Sequence, residues 1–372
     1  MIFNHTSLGA MCKASLAAVA LLVAGSVLAQ DLTVVSWGGA YSEAQRRAYR
    51  EPYMALNPEV NIINDDSSAE AVAKLRAMNE AGNITWDAVD VVAADAIRLC
   101  DEGLVMVINP NEDLAAAPDG TSPMEDFGEE WLLSECLAPH VAYSTTFAYR
   151  TDLVGDTPPD ELCDVFDLEA YPGRRALERR PINNMEWALL CDGVAAEDVY
   201  DVLATNAGQD QALAKLSTIK DEVIWWSAGA NTPQLLADGE VVIGSGYNGR
   251  LFALIEEQKQ PVSMLWDGQI LDFGGWVIPA GLSEERAAQA LNYVSFATGT
   301  QQLADQAAYI SYAPIRTSAL ELVGQHADLG IDMMPHMPTA PANSDNTFTY
   351  DYEFWADFRD DIDDKFQAWL LQ

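Results

Sequence analysis

The sequence predicts an α/β protein of two domains. Apolar, strand-like runs alternate with helical segments along the chain, the pattern of sheets covered on both faces. Glycines stand where those helices should stop. About 340 residues remain once an N-terminal export segment is set aside, enough for two domains of ordinary size.

The chain opens with Lys13 ahead of an uninterrupted apolar run, 14–29, that closes in Val27, Leu28 and Ala29. This reads as a secretory signal spanning 1–29 and cleaved near Ala29, too short for a comfortable membrane span. Cys12 precedes the apolar core and lacks a lipoprotein setting, so no lipid anchor is expected. Beyond it, 32–36, 60–64, 88–92, 141–149, 241–246 and 275–279 read as strands. Helices are expected at 43–56, 70–81, 212–219, 232–237 and 284–297. Gly82, Gly239 and Gly299 are placed as left-handed C-terminal caps. Ala287, Leu291 and Val294 form a core-facing helical stripe. The tail at 352–370 repeats the pattern with Phe354, Phe358, Ile362, Phe366 and Trp369. Pro- and Asn-rich 333–346 reads as the loop leading into that tail.

The full chain carries 57 acidic against 20 basic residues, a formal charge of −37. Losing Lys13 with the leader would leave 19 basic residues and −38. Such a balance argues against nucleic acid, whose phosphates require Lys and Arg. It favours cationic ligands weakly through the long-range field, and more directly implies a solubilising surface. Cys100, Cys136, Cys163 and Cys191 follow the leader. An even number in an exported chain, without CxxC or Cys/His clusters, predicts two disulfides rather than zinc, with three pairings open.

Catalytic motifs are scarce. His140, His326 and His336 are scattered, and no HExxH, GxSxG or Walker loop is present. Gly244, Gly246 and Gly249 in "GSGYNG", with Asp267 downstream, fit the spacing of a dinucleotide fingerprint. The motif lies deep in an exported chain rather than at the head of a βαβ series, so neither a cofactor nor a metal is expected.

The same loop carries Tyr247. Trp37, Tyr41, Trp187, Trp225, Trp226, Phe273, Trp276, Tyr309 and Tyr312 also fall at strand ends or in Gly-, Ser- or Pro-marked loops. Ligands of open α/β sheets bind beyond the carboxyl ends of strands. One aromatic there more often closes a core; recurrence at separated loops suggests a ring-lined site. Ring faces with a few carboxylates suit an organic cation. In 31–53 the turn Trp37-Gly38-Gly39 lets one such wall approach closely, because glycine tolerates sharp backbone turns.

Seven stretches, in order, resemble the periplasmic spermidine/putrescine-binding proteins of ABC transporters. They are "VVSWGGAYSEA", "WDAVDVVAADAIRLCDEGLV", "YPGRRAL", "NNMEWALLCDGV", "QLLADGEVVIGSGYNG", "GGWVIPAG" and "AYISYAPIR". The resemblance implies a type II periplasmic binding fold: two α/β lobes, a hinge of two crossing strands, and a ligand in the cleft. The lobes would be 31–139 with 270–313, and 140–269 with 314–372; the crossings would lie in 140–150 and 267–275. This division favours Cys100–Cys136 and Cys163–Cys191, each within one lobe.

The same resemblance assigns site residues unevenly. Trp37 with Tyr41 takes the place of the aromatic after the first strand. Asp95 stands where polyamine binders tend to present Tyr. Glu186 is expected as the second lobe's carboxylate, Trp225 or Trp226 as its Trp, and Tyr312 as the cleft Tyr. At the usual Trp-x-Asp the chain has Asp272 and Gly274, flanking Phe273, so the expected carboxylate is missing or displaced. The expectation is a non-enzymatic, monomeric periplasmic receptor handing a small cationic solute, a polyamine by default, to a membrane permease. A methylated onium (betaine, choline or a sulfonium such as dimethylsulfoniopropionate) is the alternative, and a secreted cofactor-binding enzyme the rival from another class.

Overall fold

The computed structural model describes residues 1–2 and 30–372; the expected leader, 1–29, lies outside the described residues from 3 to 29. Among the described residues ten strands form one sheet: β1 (Gln30–Val35), β2 (Val60–Asp65), β3 (Ala88–Val92), β4 (Ala138–Arg150), β5 (Arg175–Glu178), β6 (Val223–Trp226), β7 (Ile243–Tyr247), β8 (Val262–Val277), β9 (Ala313–Pro314) and β10 (Phe348–Thr349). The order is β2-β1-β3-β8-β4-β7-β5-β6, with β9 on β4 and β10 on β8.

Two short parallel groups flank a long antiparallel pair. β1 pairs in parallel with β2 and β3, and β5 with β6 and β7. Between them β4 and β8 pair from Ala138 opposite Trp276 to Arg150 opposite Val262. β8 meets β3 at Gly274–Val277, while β4 meets β7 at Thr145–Tyr149. Each long strand therefore runs from one group into the other. The expected crossings fall inside them, but both strands are longer than expected, with register shifts at Pro139/Val141 and Thr145/Phe147. Such irregularities bend a strand and raise its twist.

Each group has its own core. Leu32, Val34, Val89, Trp276 and Tyr293 belong to the first. Phe147, Trp187, Leu189, Ile243 and Trp355 belong to the second. The stretch 314–340, expected with the second lobe, instead adds Ile315, Ala319, Met333 and Met337 to the first core. From Phe348 and Tyr350 onward the chain turns to the second, the terminal helix Tyr352–Leu370 adding Phe354, Trp355, Ile362, Phe366 and Trp369. Phe358, expected to pack, is 40% exposed.

Helices follow most expected positions. The helix Glu284–Ala297 has the expected bounds, and Gly82 and Gly239 adopt left-handed φ of 61° and 69° after their helices. Gly299 does not: at φ −67°, ψ 152° it is extended and leads into the helix Thr300–Ala307. The segment 43–56 divides into Gly39–Gln45, a π-helical turn Arg46–Arg50 and Glu51–Leu56. β5, β6 and the helices Ala93–Asp101 and Asn184–Leu190 were not legible as periodic segments, because buried short elements carry no clear alternation. Among the described residues no helix is long and apolar enough to cross a membrane.

Cys100 bonds Cys136 and Cys163 bonds Cys191, 36 and 28 residues apart. In the chain-entropy account each closure stabilises the fold by about 3–4 kcal/mol. A reductant is expected to lower the thermal midpoint by several degrees. An unchanged melt with both bridges demonstrably reduced would contradict that contribution.

Candidate ligand-binding site

The site begins at the turn after β1. Gly38 and Gly39 have φ of 71° and 60°, a region costly for residues with a Cβ. A Cβ at Gly39 would stand 2.7 Å from Arg250 Nη1, so the glycine also makes room for a guanidinium. From the end of the turn the Trp37 indole N–H and the Tyr41 hydroxyl donate to Asp90 on β3, at 3.2 and 2.7 Å. Gln45 Nε2 donates to the same carboxylate at 2.6 Å, and His140 Nε2 lies 3.1 Å from it. Asp90 thus anchors two aromatics rather than standing free. Burial, then the neighbouring Asp90 charge, raises the Tyr41 hydroxyl well above its usual range, keeping it a donor.

Trp37 and Tyr41 form one wall of a cavity of about 330 Å³ between the two strand groups. The opposite wall carries Glu178 at the end of β5, Arg180, Tyr247 at the end of β7, and Arg250 on the helix Asn248–Phe252. Tyr143 of β4, Gly274 of β8 and Tyr312 lie between, with Asp95 and Arg359 also lining it. The rings run in contact: Tyr41 to Tyr312 at 5.5 Å, Tyr312 to Tyr143 at 5.8 Å, Tyr143 to Tyr247 at 5.7 Å. Gly249 brings the second wall in, since a Cβ there would meet Ile310 and Tyr312 at 2.6 Å. The glycines of the fingerprint-like loop serve close packing between elements, and the helix they open, Asn248–Phe252, runs on into a π-helical turn, Ala253–Glu257.

The charges do not distribute evenly. Arg180 Nη2 donates to Glu178 Oε2 at 2.9 Å and to the Tyr247 hydroxyl at 3.2 Å. Arg359 pairs with Asp95. Arg250 is 9% exposed and donates to the Trp37 and Gly38 carbonyls at 3.0 and 3.1 Å. Among the described residues no carboxylate pairs with it. A buried guanidinium that meets two carbonyls, no carboxylate, and leaves its Nε without a partner is a strong site for an anionic oxygen.

Of the expected site residues, Trp37, Tyr41, Asp95, Tyr247 and Tyr312 line the cavity. The other five do not. Glu186 is 0% exposed in the second core, where Trp355 Nε1 donates to it at 2.7 Å and Tyr200 at 3.3 Å. Burial pushes its carboxyl up to about 7. It is a core acid, because the terminal helix lays Trp355 over it. Trp225 stacks edge-on against Phe366 and Trp369 of that helix, at 5.7 and 5.8 Å. Trp226 is 2% exposed and packs on Tyr247 from behind. Phe273 is buried between Trp131 and Tyr352. Asp272 sits behind Tyr143, accepting its hydroxyl proton at 2.6 Å. Alternation on β8 turns Phe273 to the side of the sheet opposite Asp272 and Gly274.

Asp90, Tyr143, Glu178, Arg180, Arg250 and Arg359 were not singled out from the sequence. One signal was available: a carboxylate inside the apolar run "AVDVV" must be satisfied or functional when buried. The arginines gave none, since each looks like any surface base until its partners are known.

A sheet of two groups joined by two long strands, enclosing a charged aromatic cavity, is the build of a solute receptor. Residues 48–339 match the bacterial extracellular solute-binding protein family. The chain is 32% identical over 362 residues to the gamma-aminobutyric acid-binding protein of Pseudomonas aeruginosa, covering 97% of this chain and 96% of that one. Among solved structures, the binding protein MotA of Agrobacterium tumefaciens B6 in complex with glucopine shares a TM-score of 0.79 at 26% identity, covering 92% of this chain and 100% of that one. A GABA receptor structure gives 0.74 at 29% identity, covering 92% and 98%. The chain belongs to the bacterial extracellular solute-binding proteins. It is the substrate-binding component of an ABC transporter, a family of periplasmic proteins that bind small solutes and work with a membrane permease.

Proposed function

We propose that the cavity receives a small zwitterionic, amino-acid-like solute, an ω-amino acid such as γ-aminobutyrate, rather than a polyamine. Arg250 carries this reading: it is a nearly buried cation without a carboxylate partner among the described residues. A ligand carboxylate supplies that partner. A diamine would instead bring an ammonium toward Arg250. Like charges 4 Å apart repel by about 4 kcal/mol at an effective dielectric of 20. The relatives that bind γ-aminobutyrate support the same class.

Trp37, Tyr41, Tyr247 and Tyr312 would enclose the carbon chain and the cationic end, with Asp95 and Arg359 at the edge of the cavity. Because carboxylate recognition is the decisive feature, choline is disfavoured among onium solutes. Betaine and dimethylsulfoniopropionate keep a second reading, through the ring faces that accept methylated cations.

Calorimetry with γ-aminobutyrate, betaine and putrescine tests the proposal. γ-Aminobutyrate is expected to bind at least a hundredfold more tightly than putrescine. Putrescine binding as tightly as either zwitterion would overturn the carboxylate reading.

A further inference from the structure

The carboxylates around the cavity are already engaged. Asp90 has three donors, with His140 Nε2 beside it, Glu178 has Arg180, Asp95 has Arg359, and the exposed Asp66 accepts from Ser42 and Asn64. An ammonium entering the cavity therefore needs another acceptor. Tyr143 lines the cavity, and its single hydroxyl proton is donated to Asp272 Oδ2. Asp272 itself does not line the cavity; its other oxygen accepts from Phe273 N at 2.7 Å.

We propose that Asp272 is a positioning residue for solute specificity: by holding the Tyr143 proton, it makes the hydroxyl oxygen an acceptor for the ammonium of the zwitterionic solute. This rests on the ω-amino acid reading above and adds its cationic half. The rings of Tyr247 and Tyr312 flank Tyr143 at 5.7 and 5.8 Å, so the ammonium would meet ring faces beside the oxygen. Cation recognition thereby passes through a neutral phenol that a hidden carboxylate polarises.

The arrangement makes recognition pH-dependent. Some of Asp272 is reached by solvent, yet protein crowds its carboxyl, and that desolvation raises it to about 6. The charged and titratable groups facing it are Tyr143 on β4, Arg180 after β5, Tyr350 just after β10, and Tyr352 at the start of the terminal helix. Burial, then the Asp272 charge, raises Tyr143 well above its ordinary range, so the proton stays on the phenol. As pH falls through about 6, Asp272 gains a proton and the hydroxyl loses its acceptor. The Tyr143 proton is then free to turn toward the cavity, where it opposes an ammonium.

The test is calorimetric titration of γ-aminobutyrate and of butyrate, the same carbon chain without the amine, between pH 5 and 8. Wild type is expected to lose about tenfold in γ-aminobutyrate affinity from pH 7 to 5, with butyrate unaffected, as one coupled protonation predicts. Asp272→Asn, whose amide donates to Tyr143 and reverses its hydroxyl, should bind γ-aminobutyrate about tenfold more weakly at pH 7.5 and lose the pH dependence. Tyr143→Phe should do the same, with no further loss in the double variant, and serves alone should Asp272→Asn misfold. Variants that keep wild-type affinity and pH profile, or that lose γ-aminobutyrate and butyrate equally, overturn the proposal. Wild type binding no γ-aminobutyrate would instead overturn the functional reading, and this inference with it.

Discussion

Arg250→Gln is expected to weaken γ-aminobutyrate binding by about a hundredfold in calorimetry, the largest effect of any substitution in the cavity. Removing one partner of a buried, hydrogen-bonded charge pair costs about 2–5 kcal/mol, because the other charge is left desolvated and alone. Here the loss is compounded. Arg250 comes from the second wall and donates to the Trp37 and Gly38 carbonyls of the first, so it also ties the walls together around the ligand. Arg250→Lys should fall between wild type and Gln, since one ammonium cannot hold two carbonyls and a carboxylate with a fixed fork. Arg180→Gln should cost less, because Arg180 already shares its charge with Glu178. An Arg250→Gln variant binding within threefold of wild type would remove Arg250 from recognition.

Glu186→Gln is expected to stabilise the protein at pH 8 by about 3 kcal/mol, taken from an ordinary carboxyl value of 4.5 raised to about 7. The direction follows from proton counting. The folded state holds this proton more tightly than the unfolded chain. Between pH 4.5 and about 7 it therefore binds more protons, and its stability falls as pH rises across that window. A neutral amide has no such slope, while its carbonyl still accepts from Trp355 and Tyr200. The advantage of Gln should be near zero at pH 4.5, grow to pH 7 and then level off. Asp272, raised to about 6, contributes a slope of the same sign that survives in the variant. Chemical denaturation at pH 4.5 and 8 checks this; equal stabilities of the two proteins at pH 8 would sink it. The result would also separate Glu186 from recognition, since γ-aminobutyrate affinity at pH 8 should be unchanged.

Several features could be read before any fold was in view. Alternating apolar runs located β1, β2, β3 and β7 and the helix Glu284–Ala297, because local period is a property of neighbouring residues. The glycine turn between Trp37 and Tyr41 announced a wall that comes close to another group, and the group that approaches Gly39 is the Arg250 guanidinium. The cysteine count anticipated two bridges, and the order of motifs anticipated a solute receptor. Which charges meet was decided elsewhere. Trp355 reaches Glu186 across 169 positions, and Arg250 reaches the Gly38 carbonyl across 212. No local pattern records those encounters; they depend on how β4 and β8 bring the two strand groups together. The surplus of acids favoured a cationic solute only weakly, and for a physical reason. Net charge sums over a surface, and exposed charges beyond a Debye length of about 8 Å are largely screened. Recognition is set by the few groups within contact, and there the tertiary structure placed an arginine without a carboxylate.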